Sequence, residues 1–283
     1  MMLDPKLSLQ DKALLKHNLG LDQPLWTQYG HWLGHVLRGQ WGYSYVSGKP
    51  VLRAIAERLP ATMILSVSSL TLILMLTLPL GLWSGYRKDT GFDKTVTLLS
   101  FVGMAMPTFW LGLVLMLIFS LKLDWLPTSG FLEPGLETSS FWEQSVAIAQ
   151  HLILPLMTIL IGSLAGLTRY YRFETIGILT QDYIQAARAR GLSETRILFK
   201  HALKNAMLPM VTLLGLMLPE LVSGTFVIEY IFSWPGMGQL GISAVFARDY
   251  PVLMGMLMMS SVLIIVGNWL SDVAYRWVDP RIS

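Results

Sequence analysis

Apolar residues fall into long runs without charge, and these runs set the architecture of the chain. Four stretches contain no Asp, Glu, Lys or Arg: 59–86, 95–121, 144–168 and 250–271. Each reaches the roughly 20 residues that an α-helix needs to cross the hydrocarbon of a bilayer. A fifth stretch, 205–228, is interrupted by Glu220 alone. The pattern predicts five membrane spans, at about 61–85, 96–121, 147–167, 205–228 and 252–275.

Composition supports an all-α membrane protein. Hydrophobic residues make up 53% of the chain, charged residues 14%, and the mean hydropathy is +0.52. These values are too apolar for a soluble globular domain. The short alternating segments of a transmembrane barrel are absent from the sequence. Cysteine is also absent, which excludes disulfides, thiol catalysis and cysteine-based metal sites.

The positions of the cations predict the topology. The segment 168–204 is rich in Lys and Arg, whereas 122–146 and 229–251 hold one such residue each. By the positive-inside rule, the segment 168–204, the loop 86–95 and the C-terminus are cytoplasmic. Strict alternation then places residues 1–58 outside the membrane. This polar segment has no preceding span to carry it across, so we expect either a missing N-terminal span or an unusual mode of export.

Two groups of residues stand out as candidates for a transport pathway. Glu220 is a carboxylate inside a span, where a charge is costly and by default functional. Pro219 beside it and Pro107 in the second span can bend helices that line a cavity. The alternative for Glu220 is a structural hydrogen bond to another subunit. The alternative for the two prolines is that proline is common in membrane spans and has no special role here.

The segment 229–251 predicts a short re-entrant or interfacial helix on the external side. It joins Glu229 to the break Trp234-Pro235-Gly236 and then continues as an apolar stretch. Proline and glycine in this stretch prevent one long helix. We treat Glu229, Trp234, Pro235 and Gly236 as external gate candidates, the alternative being an apolar loop packed on neighbouring spans.

Motifs for enzymatic chemistry are missing. No phosphate-binding G-x-x-x-x-G-K-[ST] sequence occurs, so the chain is not expected to hydrolyse ATP itself. His31 and His35 are four residues apart but lack a third ligand, so no metal site is predicted. No catalytic pair, cofactor site or nucleic-acid partner is predicted either. We expect a transport subunit rather than an enzyme.

The basic segment 168–204 contains a short helix signal, Asp182-Tyr183-Ile184-Gln185-Ala186-Ala187-Arg188-Ala189-Arg190-Gly191. Its alanines favour a helix, and Arg188 near the C-terminal end suits the helix dipole. Gly191 can adopt the left-handed conformation that ends a helix. The small side chains predict a shallow surface that inserts into a groove of another protein. An interfacial helix held by anionic lipid is the alternative.

Several motifs resemble the peptide and nickel branch of the binding-protein-dependent ABC permeases, specifically the first of its two permease types. Gln185-Ala186-Ala187, followed after three residues by Gly191, is similar to the EAA---G coupling motif of that family, with Gln in place of Glu. Because of this resemblance we call the segment 168–204 the coupling loop. Further similar stretches are Gly20-Leu21-Asp22-Gln23-Pro24-Leu25, Pro107-Thr108-Phe109-Trp110, Glu229 to Gly238, Asp249-Tyr250-Pro251 and Asp279-Pro280-Arg281-Ile282.

This resemblance implies the type I ABC-importer permease fold in a bacterial cytoplasmic membrane, with six spans in the family. It implies a second homologous permease, two cytoplasmic ATPase subunits and an extracytoplasmic binding protein as partners. Gln185, Ala186, Ala187, Arg188 and Gly191 are then expected to contact the ATPase. The implied substrate is a peptide, with nickel or a metal chelate as the alternative. A self-sufficient secondary transporter is the alternative of another class.

Overall fold

Helices account for nearly all regular structure in the computed structural model, which describes residues 22–133, 135–136, 138–206 and 226–278. No strand occurs in these ranges apart from one isolated bridge between Tyr43 and Pro50. The α-helices are α1 (Leu25–Leu37), α2 (Val51–Tyr86), α3 (Gly91–Ala105), α4 (Thr108–Leu115), α5 (Phe141–Leu179), α6 (Asp182–Ala189), α7 (Glu194–Arg196), α8 (Leu203–Ala206), α9 (Phe226–Ile231), α10 (Met237–Ala247) and α11 (Tyr250–Val278). Helix α4 continues as the π-helix Met116–Lys122, and α7 as the π-helix Ile197–Ala202.

Three of these helices, α2, α5 and α11, are long and apolar enough to cross a membrane, and α3 with α4 forms a fourth span if the bent pair is counted as one. This agrees with four of the five predicted spans. The fifth, 205–228, lies mostly outside the described residues, as do Pro219 and Glu220. Those two pathway candidates therefore remain predictions.

The first span is longer than its charge-free run. Helix α2 starts at Val51, ten residues before the predicted span 61–85, and Pro60 lies inside it. The physical reason lies in the first two turns, where Val51 and Ile55 are buried against α10 and α11. Because that packing holds the amphipathic turns in line with the apolar run, the helix passes through the proline.

Glycines permit a close helix contact between α2 and α5. A Cβ on Gly81 would overlap the Tyr171 Cβ and approach the Thr168 carbonyl oxygen to 3.0 Å. A Cβ on Gly85 would lie 2.8 Å from the Arg172 carbonyl oxygen. The small residues let the two backbones approach, as in other membrane helix pairs.

The second predicted span is broken at Pro107. Helices α3 and α4, the latter with its π-helical extension, meet at 99°. Met106 has the extended conformation (φ −88°, ψ 125°) that a residue before proline prefers. Pro107 thus redirects the chain, as expected of a proline that bends a helix. It is exposed at the corner between α3 and α4.

Helix α5 begins at a capping box, in which Ser140 and Glu143 satisfy each other's backbone N–H groups. It extends to Leu179, well into the coupling loop. A helix of 39 residues is about 58 Å long at 1.5 Å per residue, which exceeds the roughly 30 Å thickness of the hydrocarbon layer of a bilayer. The rest of the coupling loop is therefore carried at the end of a continuous helix that is long enough to reach beyond the membrane.

Candidate coupling surface and external gate

The helix predicted in the coupling loop is present as α6. Asp182 lies in its first turn and Arg188 in its last, so both charges favour the helix dipole. Gly191 has φ +78°, the left-handed conformation expected where the helix ends. The chain then turns and returns through α7.

One face of α6 is used inside the chain. Ile184 and Ala187 are buried, and both pack in a small apolar cluster with Ile197 and Leu192. Ala187 is only 3% exposed. Its side chain therefore holds the coupling loop together, and in this conformation it is not available to a partner.

The opposite face of α6 is open. Gln185, Ala186 and Ala189 are exposed. Among the described residues, the side-chain amide of Gln185 makes one long hydrogen bond, of 3.4 Å, to the Thr180 carbonyl. This face is shallow because two of the three side chains are methyl groups. It has the shape predicted for insertion into a groove.

Arg188 is committed to an ion pair within the loop. Its guanidinium donates to both carboxylate oxygens of Glu194, at 2.8 and 3.2 Å. The two-point contact joins the end of α6 to the start of α7. Of the predicted coupling residues, Gln185 and Ala186 face outward, whereas Ala187 and Arg188 brace the loop and Gly191 turns it.

The four external gate candidates are adjacent in the structure. The Glu229 side chain is fully buried and accepts a hydrogen bond from Thr62 Oγ1 at 2.9 Å. Its other oxygen accepts from the backbone N–H groups of Gly238 at 2.6 Å and Gln239 at 3.3 Å. A carboxylate at this position caps the N-terminus of α10, where backbone donors are otherwise unpaired.

Trp234 and Gly236 complete this arrangement. The Trp234 indole is fully buried, and its Nε1–H donates to the Ala61 carbonyl at 2.8 Å. A side chain at Gly236 would overlap both Glu229 Oε2 and Thr62 Oγ1. Pro235 separates the two and leads the chain into α10. We call Thr62, Glu229, Trp234, Gly236 and Gly238 the gate network.

Sequence reasoning missed two polar clusters. Ser44 and the backbone of Tyr45 bond the Asp249 carboxylate at 2.5 and 3.1 Å, which ties the segment before α2 to the start of α11. Burial alone would raise the pKa of the Asp249 carboxyl, but these hydrogen bonds outweigh it and hold the pKa below its usual range. In the sequence, the Asp249-Tyr250-Pro251 motif was the feature that could have drawn attention to Asp249.

The second missed cluster lies at the other end of the molecule. Asp93, at the start of α3, is 2% exposed and pairs with Arg172 of α5, whose Nη2 is 2.7 Å from the carboxylate. Ser84 of α2 donates to the same carboxylate. Three helices are thus joined at the start of the coupling loop, to which Arg172 belongs. Charge counting alone had treated this loop and the loop 86–95 only as basic.

The fold and these sites define a class of protein: a polytopic helical membrane component whose basic loop carries a short helix with one exposed face. The described residues hold no group of three or more potential metal ligands. Comparison with known sequences gives the family. Residues 77–283 match the inner membrane component of binding-protein-dependent transport systems, and residues 6–66 match the N-terminal region of the same components. The chain belongs to this family of ABC-importer permeases, which confirms the transport role.

Curated relatives are similar along almost the whole chain. The oligopeptide transport system permease protein AppB of Bacillus subtilis (strain 168) is 44% identical over 284 residues, covering 100% of this chain and 88% of that protein. The glutathione transport system permease protein GsiC of Salmonella typhimurium is 37% identical, covering 98% and 86%.

A solved structure supports the fold. One chain from inward-facing conformations of the MetNI methionine ABC transporter matches with a TM-score of 0.62 and 16% identity. The match covers 81% of this chain and 97% of the other. It confirms the type I importer permease fold expected from the sequence.

Proposed function

We propose that this chain is one of two permease subunits that pass a peptide into the cytoplasm. The observation that carries the substrate class is the 44% identity over the full chain to a protein named as an oligopeptide permease. Glutathione, in the name of a second relative, is also a peptide. Nickel, the alternative considered from sequence, is not favoured by these relatives.

The proposed assembly contains a second homologous permease, two ATPase subunits and an extracytoplasmic binding protein. Membership of a binding-protein-dependent family supports the need for a delivering protein. The absence of a P-loop motif from the sequence supports hydrolysis on other chains. In this assembly residues 1–58 lie outside and the C-terminus lies in the cytoplasm, as the charge distribution predicts.

The coupling step acts through the open face of α6. Gln185 and Ala186 contact the ATPase, while Ile184 and Ala187 fix α6 to the rest of the loop. Because α5 is one continuous helix as far as Leu179, a displacement of the loop is transmitted along α5. The α2 helix follows, since it packs against α5 through Gly81 and Gly85.

The gate network responds at the external end. Glu229 of α9 accepts hydrogen bonds from Thr62 of α2 and from the Gly238 N–H of α10. Tilting of α2 therefore changes the position of α10. Pro107, at the corner between α3 and α4, and the intramembrane pair Pro219 and Glu220 are proposed to line the pathway. An intramembrane carboxylate suits the amino group of a peptide.

The test is uptake by the reconstituted importer. We expect uptake of a labelled oligopeptide into proteoliposomes to require both permeases, the binding protein, and ATP with an active ATPase. The matched control carries a substitution in the P-loop lysine of the ATPase. Uptake by the permease pair without ATPase would show a secondary transporter instead. Uptake of nickel rather than peptide in the complete system would overturn the substrate class.

A further inference from the structure

A cavity of about 220 Å³ opens between α3 and α5, beside the end of α5 that leads into the coupling loop. Thr97, Ser100 and Phe101 line it from α3, and Arg169 and Phe173 line it from α5. It is smaller than the roughly 300 Å³ at which pockets for drug-sized ligands begin. Its size suits a small polar head rather than a transported peptide.

Two arginines, Arg169 and Arg172, line this cavity, and Arg169 is not neutralised within the described part of the chain. Arg169 makes no ion pair or hydrogen bond there, whereas the nearby Arg172 is paired with Asp93. The Arg169 guanidinium instead lies over the rings of Phe101 and Phe173, 5.1 and 5.7 Å from their centroids. Stacking on two rings orients the group and leaves its N–H donors available to an anion.

A buried hydroxyl in the same cavity also lacks a partner. Thr97 Oγ1 is inaccessible to solvent and has no hydrogen bond among the described residues. Of the other buried threonines, Thr77 and Thr158 donate to the carbonyl one turn earlier in their own helices, at 2.7 and 2.8 Å. Thr175, which lies outside the cavity, shares with Thr97 the lack of a partner among the described residues. A buried hydroxyl without a partner is uncommon, and an additional acceptor would satisfy it.

The surroundings place the cavity at the membrane surface. Arg169 directly follows the charge-free run 144–168, so it lies where hydrocarbon gives way to head groups. Large apolar side chains on α3 beside it are exposed: Leu98, Leu99, Phe101, Val102 and Met104. A lipid whose phosphate enters the cavity can lay its acyl chains along this face.

We propose that this cavity binds the phosphate of an anionic phospholipid from the leaflet on the coupling-loop side. Arg169 supplies the charge. The Thr97 hydroxyl, which faces away from solvent in this conformation, turns about its Cα–Cβ bond to donate a hydrogen bond to a phosphate oxygen. The lipid then contacts α3 and α5 directly beside the Asp93–Arg172 pair. Basic pockets between helices at the cytoplasmic surface are typical sites for such head groups.

Native mass spectrometry of the intact, delipidated importer tests the proposal. Phosphatidylglycerol should bind in preference to phosphatidylcholine, and Arg169→Gln should weaken its binding about tenfold, the usual order for loss of a charged hydrogen bond. Thr97→Val, which keeps the shape, should weaken it less. The matched control is Arg87→Gln, because Arg87 also stacks on a ring, that of Trp83 at 5.0 Å, but lies outside the cavity.

Three results would overturn the proposal. One is unchanged phosphatidylglycerol binding in Arg169→Gln. Another is full displacement of the lipid by inorganic phosphate, which would show a site for the free anion. The third comes from Phe101→Cys, a single thiol because the chain has no cysteine: efficient cross-linking to the second permease would show that protein, not lipid, covers the cavity. None of these readouts depends on transport.

Discussion

The gate network and the outer face of α6 in the coupling loop differ in how fully their polar side chains are hydrogen-bonded within the chain. In the gate network, Glu229 is fully buried and both its oxygens are bonded within the chain. In the coupling loop, Gln185 is exposed and its amide makes one weak contact. The gate network is therefore complete in the isolated chain, whereas the outer face of α6 remains open to another protein. Substitutions should separate the two by their effect on stability.

The largest loss of stability is expected for Glu229→Ala. It leaves Thr62 Oγ1 and the buried N–H of Gly238 without their acceptor, at a cost of about 2–4 kcal/mol. Thermal unfolding of the purified importer in detergent measures this. Glu229→Gln, which keeps an acceptor oxygen and the shape, should lose less. Equal stability of Glu229→Ala and the wild type would contradict the assignment of Glu229 as a structural centre of the gate network.

Gly81→Ala tests the link between the two regions, because α2 and α5 meet there. The added methyl group overlaps the Tyr171 Cβ, and overpacking of this kind costs about 1–3 kcal/mol. Gly166→Ala is the matched control, since nothing lies within 4 Å of a Cβ at Gly166. It should be neutral or slightly stabilising. Equal unfolding temperatures for the two variants would rule out the close contact.

Asp249→Asn should cost about 1 kcal/mol, because an amide can accept fewer of the hydrogen bonds around that position. The pKa of Asp249 is lowered in the folded chain, so its contribution is present above the unfolded pKa of about 3.9 and is lost as pH falls through the lower folded value. The stability difference between wild type and Asp249→Asn should therefore shrink below about pH 4. A difference that stays constant down to the lowest pH at which the complex survives would refute this.

Features that depend on residues close together in the sequence, such as helices and their ends, could be predicted from it. Charge-free runs located α2, α5 and α11, Pro107 indicated the break before α4, and Gly191 indicated the end of α6. Contacts between distant residues were not predictable. Thr62 and Glu229 are 167 residues apart, and Ser44 and Asp249 are 205 apart. Only the fold brings such pairs together.

The face of α6 is the clearest example of this limit. Ala186 and Ala187 are identical in side chain and adjacent in sequence, so composition and motif treat them alike. The return of the chain at Gly191 brings Ile197 against one face of α6, and this buries Ala187 and leaves Ala186 exposed. Which of the two meets a partner is thus decided by packing.

The most direct test compares Ala186→Asp with Ala187→Asp in the reconstituted importer. Ala187→Asp buries a charge in an apolar cluster and should destabilise the coupling loop, which lowers the unfolding temperature. Ala186→Asp should leave the unfolding temperature unchanged but reduce ATP-driven uptake by about tenfold or more, as expected for loss of about 1.4 kcal/mol at an interface. Normal uptake with normal substrate-stimulated ATP hydrolysis in the Ala186→Asp importer would contradict the docking role of this face.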